Sequence, residues 1–400
     1  MGVTEKLNEL EAELARTQKN KATEFHIGIL NAKIAKLKRE LISPSKSGGA
    51  KGGGFDVRKT GDSTVVFIGL PSVGKSTLLN KLTGSKSEVA SYAFTTLTCI
   101  PGMLDYKGAK IQLLDLPGII IGASEGKGRG REVLAVARSA DLILLMLDVF
   151  QPDAYEAIMR ELANMGIRVN QHRPDVVVTK KLKGGVNVTS TIHMTKIDKR
   201  MIAGVLGEYG IHNADVVLRE DITPEQFIDI VVGNRKYIDA VTILNKIDLV
   251  TPEYIKTLKF EFVPVSAEKD KNIEDLKEAI YQKLDLIRIY TKPRMGEADL
   301  TEPLMIRRRS TVRDMCERLS PDLLENFKFA IVWGKSAKFD GQKLGLDHML
   351  MDGDIVHIAR KMSTDITSEE LDQANSERIK KSVAASKTNK LGVKKKANHY

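Results

Sequence analysis

The run Gly69-Leu70-Pro71-Ser72-Val73-Gly74-Lys75-Ser76-Thr77 sets two glycines, a lysine and a hydroxyl at the spacing G-x-x-x-x-G-K-S. Such a loop lets backbone amides converge on an anion that any β-carbon would obstruct. Lys75 can then reach β- and γ-phosphates, and the Ser76 hydroxyl can face Mg²⁺. The chemistry needs a strand before the loop and a helix after it, whose N-terminus adds the positive end of its dipole. Val65-Val66-Phe67-Ile68 supplies the strand and Leu78-Leu79-Asn80-Lys81-Leu82 the helix.

Which base accompanies the phosphates is set further along, where Val241-Thr242-Ile243-Leu244 ends in Asn245-Lys246-Ile247-Asp248. A carboxylate at Asp248 can accept from the guanine ring N–H and exocyclic amine together, and adenine offers no such pair. Leaving a buried carboxylate without partners costs several kcal/mol, enough to set specificity. The amides of Ser266-Ala267-Glu268 are expected at the guanine carbonyl. A second tetrapeptide, Thr195-Lys196-Ile197-Asp198, fits a relaxed form of the motif, but the residues before it alternate polar and apolar as in a half-exposed strand. Asn245 and Asp248 are therefore the expected base readers.

Between these loops lie Tyr92-Ala93-Phe94-Thr95-Thr96-Leu97 and, after the strand Ile111 to Leu114, Asp115-Leu116-Pro117-Gly118. In a switch of this kind a threonine closes over the metal, for which Thr96 is preferred to Thr95. Asp115 holds the metal through water and the Gly118 amide bonds the γ-phosphate, so hydrolysis would release both segments. Lys75, Thr96 and Gly118 are the expected catalytic groups, and Ser76, Thr96 and Asp115 the metal-holding ones. Gly69, Pro71, Ser72, Val73, Gly74, Lys75, Ser76, Thr77, Asp115, Gly118, Asn245, Lys246, Asp248, Ser266 and Ala267 complete the expected nucleotide site.

At 400 residues and 42% hydrophobic, the chain can bury more than one core. No apolar run is long enough to span a bilayer and Met1 to Asn20 is too charged for a secretory signal, so a soluble cytoplasmic protein is expected. Cys99 and Cys316 have no metal spacing and suggest no disulfide framework. The net charge of +10 is carried by the ends: Arg378 to Tyr400 hold eight Lys or Arg and no acid, and Met1 to Thr60 twelve basic against seven acidic residues. Two cationic arms suit phosphate-rich surfaces, and solubility alone would read the same way. Leu7, Leu10 and Leu14, then Ile27, Leu30, Ile34, Leu37 and Leu41, repeat at helical spacing and predict a helical hairpin whose helices pack on each other. Ser43-Pro44 stops it and Gly48 to Gly54 reads as a linker.

The stretch Tyr92 to Leu97, with Asp115-Leu116-Pro117-Gly118-Ile119-Ile120-Ile121-Gly122-Ala123-Ser124-Glu125-Gly126-Lys127-Gly128-Arg129-Gly130, resembles the Obg-type translation-factor GTPases, and within them the developmentally regulated GTP-binding proteins. Gly345 to Val356 resembles a TGS domain. The resemblance implies an α/β P-loop GTPase domain, with a mostly parallel sheet and helices on both faces, over 61–150 and 237–288. It further implies an N-terminal helical hairpin over 1–47, a linker over 48–60, and an inserted α+β domain over 151–236. A C-terminal β-grasp TGS domain over 289–361 and a basic tail over 362–400 complete it. Within the insert, Asp175 to Thr179 and Val186 to Ile192 read as strands joined as a hairpin with a basic tip, Lys180 to Gly185, that could meet RNA phosphate or be a solvated turn.

The activity implied is Mg²⁺-dependent hydrolysis of GTP to GDP and phosphate, as a switch on the ribosome or RNA in translation. A ribosome-assembly GTPase and an RNA-binding scaffold with structural GTP are the alternatives. Ile119 stands where many small GTPases carry a water-orienting glutamine, so a slow intrinsic rate is expected. Potassium is the second candidate ion: relatives that use it often carry asparagine at the position of Ser72, and serine is a weaker ligand. A stabilising partner protein is common in the family, and a monomer is expected for the chain itself.

Overall fold

The computed structural model describes residues 2–42, 60–84, 100–116, 136–293 and 296–361. The chain divides into two units, Met1–Leu284 and Asp285–Tyr400.

The first unit opens with α1 (Val3–Arg16) and α2 (Glu24–Ile42), joined by a turn in which Asn20 Oδ1 accepts from the Ala22 and Thr23 amides at 3.0 Å each. Next come β1 (Ser63–Gly69), α3 (Lys75–Thr83), β2 (Ile100–Tyr106), β3 (Ala109–Asp115), β4 (Leu142–Asp148), α4 (Ala154–Asn164) and β5 (Ile167–Val169). β6 (Val176–Lys180), β7 (Val186–Ser190), α5 (Lys199–Glu208), β8 (Ala214–Leu218) and α6 (Pro224–Val232) follow. β9 (Lys236–Asn245), α7 (Pro252–Thr257), β10 (Val263–Pro264) and α8 (Ile273–Leu284) complete the unit.

The main sheet runs β10-β9-β4-β1-β3-β2, with β5 added beside β9. Every pairing is parallel except β2 with β3. β1 and β4 are buried along their whole lengths, which is why their sequences are unbroken apolar runs and do not alternate. The register places Gly69 beside Met146, Phe67 beside Asp115, and Asp148 beside Asn245. All the strand-end polar residues therefore lie along the carboxyl edge of the sheet, where open α/β sheets bind ligands.

Two expectations for the insert are corrected. α4 and β5 belong to the main sheet: Ile158, Leu162, Ile167 and Val169 are buried in the same core as Val66 and Leu145, and β5 pairs with β9. The insert thus departs after β5 and not at Gln151, because α4 carries an apolar face that only the main sheet covers. The basic tip also joins no hairpin. β8 lies between β6 and β7, antiparallel to the first and parallel to the second, so 180–185 crosses the end of a central strand.

The N-terminal hairpin does more than pack on itself. Leu30, Ala32, Ile34 and Ala35 of α2 are all buried, and Ala32 and Ala35 share a core with Ile202, Val205 and Phe227 of α5 and α6. α1 buries no residue fully. Close approach depends on Gly204, where an added β-carbon would sit 2.9 Å from Ile29 Cδ1 and 3.1 Å from Phe25 Cζ. The linker residues 48–54 lie outside the described residues. On the other side of the insert, the buried Asp229 carboxylate of α6 accepts from Arg168 of β5, through Nε at 2.6 Å and Nη2 at 2.8 Å, and from Arg235 Nε at 2.9 Å. Two guanidiniums and one carboxylate thus fasten the insert to the sheet it interrupts.

The second unit contains β11 (Leu286–Thr291), β12 (Asp299–Arg307), α9 (Val312–Leu319), α10 (Pro321–Glu325), β13 (Phe327–Trp333), β14 (Gln342–Leu344) and β15 (Ile355–Arg360). Its sheet order is β12-β11-β15-β13-β14, with β11 and β15 parallel, a β-grasp arrangement. α9 starts at a Thr311–Asp314 capping box and buries Val312, Met315 and Cys316 against the sheet. The buried Asp354 accepts the Ser336 and Met351 amides, closing two loops on each other. His348 and His357 serve the same local purpose, one meeting Ser336 Oγ and the other the Lys292 carbonyl. Among the described residues no helix is long and apolar enough to cross a membrane. The tail from 362 onward and Cys99 lie outside the described residues.

Candidate functional site

β1 delivers Gly69 to the carboxyl edge, where the Met146 carbonyl of β4 occupies the place a side chain would take. The loop then turns through Ser72 at φ 64° and Gly74 at φ 95°, both left-handed, before α3 begins at Lys75. At Gly74 an added β-carbon would lie 2.5 Å from Asn245 Nδ2, so the glycine serves both the turn and a close approach. Pro71, Ser76 and Thr77 are exposed and Val73 is buried. Lys75 is buried, and its ammonium donates to the Gly69 carbonyl at 3.2 Å and the Leu70 carbonyl at 2.9 Å. Burial pushes its pKa down and the nearby Asp115 carboxylate partly offsets this.

Ser76 Oγ donates to Asp115 Oδ2 at 2.5 Å, while Asp115 Oδ1 is buried with no partner among the described residues. A buried carboxylate oxygen without a partner costs free energy unless a cation meets it. With the adjoining hydroxyl it makes an all-oxygen donor pair that fits Mg²⁺, an ion that keeps several waters and takes few protein ligands. Thr96, Gly118 and Ile119, with the rest of both switch runs beyond Leu116, lie outside the described residues.

The base-reading loop is bound to the phosphate loop. Asn245 is buried; its Nδ2 donates to the Val73 carbonyl at 2.9 Å and its Oδ1 accepts the Ala267 amide at 3.1 Å. Lys246, at φ 67°, reaches back to the neighbouring Ser72 carbonyl at 3.1 Å. Asp248 is half-exposed, and a hydrogen bond from the Ser266 side chain holds its carboxyl below the usual carboxylate range.

This geometry shows which partners the expected base-site residues already have within the protein. Asn245 joins three loops through one amide proton and its carbonyl oxygen, and its Nδ2 carries a second proton that a base can still accept. Of the three amides expected at guanine, that of Ala267 goes to Asn245 and that of Ser266 to the Lys271 carbonyl at 3.2 Å. The tetrapeptide ending at Asp198 is a helix start: Asp198 accepts from the Met201 amide at 2.6 Å, and Thr195 donates its amide to Asp221 at 2.9 Å. Sequence reasoning missed Asp148, whose Oδ2 meets Lys246 Nζ at 3.1 Å. The available signal was its position, the first polar residue after the apolar run Leu142 to Leu147.

A phosphate loop on β1, an oxygen pair for Mg²⁺ and an N-K-x-D loop on β9 define a P-loop guanine-nucleotide-binding protein. Comparison with known proteins agrees. The model described as 50S ribosome-binding GTPase matches residues 64–181, that of the C-terminal region of the MMR_HSR1 domain 183–286, and that of the TGS domain 287–360. The chain is 55% identical over 368 residues to an uncharacterized GTP-binding protein of Methanocaldococcus jannaschii, covering 90% of this chain and 94% of that one. It is 50% identical over 365 residues to developmentally-regulated GTP-binding protein 1 of Xenopus laevis, covering 90% and 100%. To developmentally-regulated GTP-binding protein 2 of Homo sapiens it is 47% identical over 364 residues, with the same coverage. The chain belongs to the developmentally regulated GTP-binding protein family.

Proposed function

We propose that this protein hydrolyses GTP to GDP and phosphate slowly by itself, and acts in the cytoplasm as a switch on the ribosome or its RNA during translation. The observation that carries the nucleotide chemistry is the Val73–Asn245–Ala267 bridge beside the Ser76–Asp115 pair, which sets a phosphate loop, a metal pair and a base loop in one rigid frame. Asp248 and Asn245 read guanine from this frame, while Lys246, Ser266 and Ala267 shape it.

Ser76 and Asp115, together with Thr96, would hold Mg²⁺, which when bound would neutralise charge developing on the phosphate oxygens. Lys75 exchanges the Gly69 and Leu70 carbonyls for phosphate oxygens, a change that its buried position makes strong. The loop amides and that of Gly118 stabilise charge on the γ-phosphate while water attacks it directly. Ile119 cannot orient that water, so the rate depends on assistance from outside the chain. The ribosomal setting is supported by the description of the matching family model and by the basic ends of the chain.

The test is GTP turnover in potassium and in sodium buffer, with and without ribosomes, with Lys75→Ala as blank. Turnover above the blank that rises with ribosomes is expected. Absence of turnover under every condition would leave a nucleotide-stabilised scaffold instead.

A further inference from the structure

Asp148 closes β4 with its two carboxylate oxygens in different employment. Oδ1 accepts the Phe150 and Gln151 amides, both at 3.1 Å, and so fixes the turn that leaves the strand. Oδ2 accepts from Lys246 Nζ at 3.1 Å. The residue is buried, whereas the Lys246 side chain retains 31% of its exposure. A lysine on a flexible four-carbon stem loses much rotamer freedom when held in one place, and an ion pair open to water seldom repays that loss. Here the carboxylate is already immobilised by its own turn, so the lysine alone has to be ordered.

What the ordered lysine holds is the Ser72 carbonyl, at 3.1 Å. Ser72 is a non-glycine residue at φ 64°, a conformation that costs free energy and persists only where neighbours enforce it. The next carbonyl, that of Val73, is taken by Asn245. Two successive carbonyls of the phosphate loop are thus tied to two successive residues of the base loop. Asn245 is anchored by burial and by Ala267, and Lys246 is anchored by Asp148.

We propose that Asp148 is a positioning residue for nucleotide retention: by fixing Lys246 it keeps the Ser72 carbonyl, and with it the left-handed turn of the phosphate loop, in the binding conformation. The proposal rests on the assignment of 69–77 as the nucleotide phosphate loop. It concerns how tightly either GDP or GTP is kept, not which base is chosen.

Asp148→Asn separates the two oxygens, since the amide oxygen still serves Phe150 and Gln151 while an NH₂ group faces the ammonium. Release of a fluorescent GDP and of a fluorescent non-hydrolysable GTP analogue is followed by stopped flow in the full chain. Both rates are expected to rise roughly tenfold to a hundredfold, the loss of one charge-assisted hydrogen bond, with guanine-over-adenine preference retained. Lys246→Met removes the same clamp without touching β4 and should give a similar rise; the double variant should add nothing further. Unchanged release in Asp148→Asn, or effects that multiply in the double variant, would overturn the proposal. Failure of the wild type itself to bind either probe would sink the nucleotide assignment instead, so the two failures are told apart.

Discussion

Two tetrapeptides of this chain share Lys-Ile-Asp, one ending at Asp248 and the other at Asp198, and the structure gives them unrelated work. The first follows β9, a strand buried over its last six residues, and lands at the carboxyl edge of the main sheet beside the phosphate loop. The second follows the half-exposed β7 and starts a helix of the insert. In one the aspartate is left half-exposed beside the Ser266 side chain, with Lys269 and Lys271 near it; in the other it is consumed by a helix amide. The lesson is that the strand before such a motif, more than its letters, decides whether its carboxylate is available to a ligand.

The sharpest way to break this contrast is Asp248→Asn. It should move the ratio of xanthosine to guanosine triphosphate affinity by about 10⁴-fold, as expected where a site built to hydrogen-bond a substrate donor pair is mismatched; competition binding measures it, and an unchanged ratio would remove Asp248 from base reading. Asn245→Ala comes next. It leaves the Val73 carbonyl and the Ala267 amide without partners, so a stability loss of about 2–4 kcal/mol is expected, visible as a lower melting temperature and weaker GDP binding together.

On the other side of the comparison, Asp198→Ala should lose only a helix cap, about 1 kcal/mol, a drop of a few degrees in melting temperature with GDP affinity intact. The smallest effect is expected of Thr195→Asn, which completes the N-K-x-D spelling in the insert. Nucleotide stoichiometry by calorimetry should remain one per chain, and a second site would show that spelling suffices after all.

Much of this was legible beforehand. The apolar runs of β1, β4 and β9 announced a parallel sheet because strands buried on both faces cannot alternate, and the phosphate loop fell between a strand and a helix as its motif requires. The alternation of Asn187 to Met194 set the two tetrapeptides apart, and the strand Val186–Ser190 is half-exposed as that pattern implies. What the sequence hid is partnership. Nothing in Asn245 says that both ends of its amide find partners within the protein, and Asp148 is one aspartate among many until β4 and β9 are in register. The order β6-β8-β7 was invisible because adjacent strands in sequence suggest a hairpin, and only the third strand reveals the crossover. α4 was assigned to the insert because helical periodicity shows that a face is buried, not against what.

Asp229 and its two arginines bear on modularity. The carboxylate belongs to the inserted segment, whereas Arg168 lies in the interrupted sheet and Arg235 on the return into it. Cutting the insert out would leave two guanidiniums pressed against β5 and β9 with no counter-charge, so a minimal nucleotide-binding core could be engineered only by replacing both arginines in the same step. For a lineage carrying the insert, the same arrangement acts as a ratchet: once those arginines depend on it, the segment is far easier to keep than to lose.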